Sequence, residues 1–164
     1  MYTTRLHRPV DLGGTRALFL ADPKSLRGAR LRRFATRRVD RLGRVLDVTG
    51  TERTLVEGFR RPALVGGLEE LVTSASGFPT LDLDLLAQVL RRYDAANLWA
   101  ATGWFLERFQ KSFHVPAPTL ARFERRRPRS PQYLERGSRG GLLASRWNLI
   151  LPTALAGSGE PDER

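Results

Sequence analysis

The stretch TGTERTLVEGFRRPALVGGLEEL, Thr49–Leu71, decides the reading of the fold. Thr49 with Glu52 three residues later has the form of a capping box, and Leu55, Val56 and Phe59 then recur at helical spacing until Pro62 ends the run. The pattern predicts a helix from about 51 to 61. Gly66 and Gly67 precede Leu68-Glu69-Glu70-Leu71-Val72 and predict a second helix running toward Ser74, the glycines permitting either a close helix approach or a positive φ. Glu52 then falls where a helix N-terminus favours an anion. Arg53 is left to pair with a carboxylate elsewhere, Glu70 or Glu107 being candidates.

Working toward the C-terminus, Gly77 to Thr80 break the chain. Leu83, Leu86, Val89, Leu90 and Tyr93 then share one face of a helix over 82–93. Asp94 is placed to cap the next helix, where Leu98, Trp99, Thr102, Phe105, Leu106 and Phe109 repeat at three and four residues. Two amphipathic helices joined this tightly are expected to pack on one another. A short helix over 119–127, an exposed basic loop over 125–131, a late strand over 145–151 and a disordered tail over 157–164 complete this half. Toward the N-terminus, strand-like runs at 16–20, 31–39 and 44–48 are separated by Gly and Pro signals. The expected architecture is mixed α/β (α+β): one domain over 1–156, with a small sheet from the N-terminal third plus the late strand, packed by four or five helices.

Composition narrows the function. An apolar fraction of 41% supports a packed core, and the absence of cysteine excludes disulfides, thiolate metal sites and a Cys nucleophile. No apolar run reaches bilayer length and residues 1–14 do not resemble a signal peptide, so a cytoplasmic protein with no membrane partner is expected. The net charge is +11, and Lys24 and Lys111 are the only lysines among the 28 basic residues. That bias fits a polyanion partner such as nucleic acid, and equally a GC-rich coding sequence. The charge is uneven: residues 1–48 carry +8, 49–115 carry −1 and 116–164 carry +4. Arg30, Arg32, Arg33, Arg37 and Arg38, together with Arg125, Arg126 and Arg127, are the candidate nucleic-acid or partner contacts, although a strand would split the first group between two faces.

Catalytic patterns are sparse. His7 and His114 are the only histidines and read as surface residues, so no metal site and no cofactor are expected. Gly137-Ser138-Arg139-Gly140-Gly141 lacks the ending of a phosphate loop and reads as a flexible turn. Glu69 and Glu70 point to different sides of a helix, and Asp82 and Asp84 suit a helix's first turn, so neither pair reads as an acid–base couple. No nucleophile stands out for an enzyme acting on phosphate esters.

The opening stretch resembles the signature of the C-terminal antitoxin domain of the AbiEi family of type IV toxin–antitoxin systems. The resemblance rests on Glu52, Arg53, Thr54, Leu55, Glu57, Pro62, Gly66, Gly67, Glu69 and Glu70. It continues through Thr102-Gly103-Trp104-Phe105-Leu106-Glu107 to Arg146-Trp147-Asn148-Leu149-Ile150, which is similar to the family's terminal strand. The family more often has Asp where Glu57 stands and a basic residue where Ala101 stands. The resemblance implies a non-enzymatic antitoxin in abortive infection and phage defence. Its functional partner would be a separately encoded nucleotidyltransferase toxin, with which it need not form a stable complex. Family members usually carry a winged helix-turn-helix before this domain; the chain is expected to lack it, either by nature or because the winged helix is encoded upstream. A basic nucleic-acid-binding or regulator-derived module is the alternative reading.

Overall fold

The computed structural model describes residues 2–3, 7–135, 137 and 139–156, so the expected tail over 157–164 lies outside the described residues. Helix α2 (Thr51–Arg60) buries Leu55, Val56 and Phe59, as its periodicity predicts, but its start differs from expectation. Gly50 is the N-cap and no side chain caps the helix. Thr49 instead shares a hydroxyl hydrogen bond of 2.7 Å with Thr54, and Glu52 accepts the Asp82 backbone N–H at 2.9 Å. A donor brought in by tertiary packing has displaced the local capping box.

Helices α3 (Leu68–Ser76), α4 (Leu83–Tyr93), α5 (Ala96–Arg108) and α6 (Ala117–Glu124) follow. Asp82 caps α4 by accepting the Asp84 and Leu85 N–H groups. Asp94 does not cap α5; it ends α4 in the left-handed conformation, with φ 47°. This abrupt turn redirects the chain, and α4 and α5 both pack on α2, with α6 also on α5, rather than chiefly on each other. Nor is α5 amphipathic: every residue from Leu98 to Leu106 is buried, the small Ala100, Ala101, Thr102 and Gly103 allowing neighbours to close on the side that lacks large side chains.

The mixed fold class is as expected, with the strands divided among separate small sheets. β1 (Tyr2–Thr3) pairs in parallel with β4 (Leu20–Ala21), and β2 (Val10–Leu12) forms a hairpin with β3 (Thr15–Ala17). The segment 31–39 is not one strand: helix α1 (Ala29–Arg32) and a turn with Ala35 at φ 52° precede β5 (Thr36–Arg41). β5 pairs antiparallel with β6 (Arg44–Thr49) over its whole length. The late strand does not join these. Ser145–Trp147 form a 3-10 turn, and β9 (Leu149–Leu151) lies between β7 (Gln132–Tyr133) and β8 (Leu142–Ala144), followed by the short α7 (Thr153–Ala156). The reason is the core: its buried residues run from Leu55 to Leu155, and β9 packs into it, whereas the β5–β6 hairpin has most of its side chains in solvent.

The hairpin turn is Arg41-Leu42-Gly43-Arg44, left-handed at both central residues, with φ 53° at Leu42 and 73° at Gly43. Such a turn favours Asn-Gly. Leu42 bears the left-handed cost of roughly 1 kcal/mol with no burial in return, since its side chain is 102% exposed. Leu42→Asn is therefore expected to raise the unfolding free energy by about 0.5 to 1 kcal/mol in urea titration; a loss of stability would contradict the turn geometry.

Candidate functional site

Arg53 is 1% exposed, and its guanidinium organises the first of two polar centres. It donates to Glu57 Oε1 at 2.7 Å and to the carbonyl oxygens of Arg32 at 2.7 Å and Phe34 at 3.0 Å. Tyr93 Oη donates to the same Glu57 oxygen. The carboxylate partner is thus Glu57, one helical turn along, and neither Glu70 nor Glu107. A planar fork suits this site because it serves one anion and two carbonyls at once.

The second centre joins the remaining stretches of the family resemblance. Trp147 is fully buried against α5 at Gly103, where a Cβ would lie 2.1 Å from the indole ring. Its Nε1–H donates to Glu107 Oε2, while Arg146 pairs with Glu107 Oε1 at 2.5 Å and with Glu124 Oε2 at 3.0 Å. Arg127 completes the network on Glu124 Oε1 at 2.6 Å. The hydrogen bond from Arg146, then that from Arg127, hold the Glu124 carboxyl below its ordinary pKa, and Glu107 holds Arg146 above its own.

The resemblance named Glu57, Gly103, Arg146 and Trp147, and the helical period placed Tyr93 on an apolar face, but the bonding of Glu57 with Arg53 and Tyr93, the partners of Glu107 and the part of Glu124 were missed. It also missed Gly58, where a Cβ would stand 2.4 Å from Leu71 on α3. Gly58 is the close helix contact; Gly66 and Gly67 serve positive φ, at 84° and 99°. Leu55 is core, Thr54 bonds Thr49, and Glu69 and Glu70 are exposed in the first turn of α3, with Glu70 accepting from Ser74. Apart from the exposed Glu69, these motif residues take part in packing, turns or hydrogen bonds within the fold.

The basic candidates do not behave as one group. Arg32 pairs with Asp22 at 2.9 Å and Arg33 with Asp47 at 3.0 Å. Arg127 is in the Glu124 network, whereas Arg125 and Arg126 are both exposed, Arg126 also lying over the Trp99 ring. Arg30 is exposed on α1, and Arg37 and Arg38 project from opposite faces of β5. Among the described residues no group of three or more His, Asp or Glu is placed to hold a metal, and no helix is long and apolar enough to cross a membrane. No protein-family model, curated protein or solved structure matches the chain.

Gly103→Ala is expected to cost about 2 kcal/mol or more from overpacking against Trp147. Its effect should be markedly less than additive with Trp147→Ala in a double-mutant cycle by chemical denaturation. Arg53→Met, which strands Glu57 and two carbonyls, is expected to cost about 3 to 5 kcal/mol. Because the Glu124 pKa is lowered on folding, its stabilising effect is present above the ordinary glutamate range and is lost as pH falls through the lowered value. Thermal melts of Glu124→Gln should thus show a deficit at pH 7 that closes as the pH drops below about 4; a pH-independent deficit would refute the ion-pair account.

Proposed function

We propose that this chain is the antitoxin of a type IV toxin–antitoxin pair, opposing a separately encoded nucleotidyltransferase toxin in the cytoplasm as part of abortive-infection defence against phage, without catalysing a reaction itself. The reading rests on the resemblance of Thr49–Leu71, Thr102–Glu107 and Arg146–Ile150 to the AbiEi antitoxin domain. The observation that supports it is that the last two stretches, some forty residues apart in sequence, are direct partners through Gly103 with Trp147 and Glu107 with Arg146 and Trp147. A chance match of composition has no reason to select both halves of one contact, whereas a signature of a single structural unit does.

Growth of cells carrying an inducible nucleotidyltransferase from the adjacent reading frame, with and without this chain supplied in trans, tests the proposal. Co-expression is expected to restore colony formation to near the uninduced level. Persistent toxicity alongside soluble chain with a cooperative thermal melt would sink it.

A further inference from the structure

The β5–β6 register sorts the hairpin's side chains into two unlike faces. Arg37, Val39 and Arg41 stand opposite Val48, Leu46 and Arg44, so one face holds three arginines, three aliphatic residues and no acid. The other face opposes Thr36, Arg38 and Asp40 to Thr49, Asp47 and Val45, and there Arg33 already neutralises Asp47. Arg37, Arg41 and Arg44 are all exposed, and among the described residues their side chains have no ion-pair partner. Folding supplies no reason to gather three like charges on one ribbon face.

The tip is equally unexplained by folding. Leu42 is an apolar side chain wholly in water at a left-handed position that favours Asn, and Val45 and Leu46 beside it are 53% and 46% exposed. Strain and exposure kept together in this way mark a site that something else uses.

We propose that the β5–β6 hairpin is an arm that docks on duplex DNA without regard to base sequence, with Arg37, Arg41 and Arg44 on the phosphates beside the minor groove and Leu42 wedged between base pairs. The six-residue strands span about 20 Å, over which duplex DNA presents about a dozen phosphate charges. Arg37 stands about 13 Å along the ribbon from Arg41. A linear polyanion lying along the arm satisfies all three arginines, whereas a flat anionic surface met by the tip reaches only Arg41 and Arg44. The minor groove, about 6 Å wide, admits side chains rather than the ribbon itself. Leu belongs to the apolar wedges that unstack a base step and kink the duplex. The inference is independent of the antitoxin proposal, since it concerns a surface that carries none of the residues of the family resemblance.

The test uses the intact chain and a 25-base-pair duplex of mixed sequence carrying a donor and an acceptor at its ends. Anisotropy titrations at graded NaCl report affinity, and energy transfer reports bending. Wild-type binding is expected to weaken linearly in log salt, and the triple variant Arg37→Ala/Arg41→Ala/Arg44→Ala should reduce that slope by about 2 to 3. Leu42→Asn, which favours the turn and so cannot fail by unfolding the arm, should keep the salt slope and lose the bend. An unchanged slope in the triple variant, or wild-type bending by Leu42→Asn, would overturn the proposal. So would tighter binding of the wild type to an RNA stem-loop or to vesicles containing anionic phosphatidylglycerol than to the duplex.

Discussion

The packing of Trp147 on the backbone of α5 at Gly103 is the contact on which the rest of this structure depends. It requires a helix with no side chain at one point and a large flat ring to fill that point, and a single added carbon would meet the ring at 2.1 Å. Around it α5 is enclosed on every side from Leu98 to Leu106, with α2 and α6 against it and β9 carrying Leu149 and Leu151 into the same core. Close packing of this kind leaves neither slack for a larger residue nor compensation for a smaller one. The polar ends of the contact are anchored as well, since Glu107 binds both the indole N–H and Arg146, and Glu124 and Arg127 extend the network to α6 and the loop after it.

The first fifty residues are attached by different means. Among the described residues they contribute Asp22, Pro23 and Leu26 to the buried set, with Phe34 and Ala35 packed at the margin of the core. Much of their attachment is polar: Arg53 reaches from α2 to two carbonyls of the turn before β5, and Arg92 lies over the Phe34 ring. A segment tied at its base by directional bonds, and not by burial along its length, can project a hairpin into solvent. The hairpin is therefore free to carry charge and an apolar tip that a packed strand could not accommodate. The molecule thus divides into a tightly packed helical body holding the residues of the family resemblance and an arm whose composition answers to another requirement.

Local pattern and tertiary contact separate cleanly at particular residues. The periodicity of Leu55, Val56 and Phe59, and of Leu83, Leu86, Val89 and Leu90, places the helices within a residue or two, because a buried helical stripe repeats every three to four residues whatever it packs against. The capping box at Thr49, the cap at Asp94 and the continuous strand over 31–39 fail where a distant group competes. Asp82 N–H takes Glu52, the packing of α4 and α5 on α2 demands the left-handed turn at Asp94, and Arg53 draws the carbonyls of Arg32 and Phe34 into a bend.

Sequence by itself determined that this protein has a mixed fold with a helical middle and that its basic charge sits in its flanks. These are properties of period, composition and local pattern, each readable within a window of a few residues. Only the tertiary structure decided that Arg53 belongs to Glu57, that Glu107 belongs to Arg146 and Trp147, and that Arg32, Arg33 and Arg127 are held in ion pairs while Arg37, Arg41 and Arg44 are left on one open face. The physical reason is that the partner of a charge is chosen by distance in space, and strand register and helix packing set those distances between residues that the chain keeps far apart.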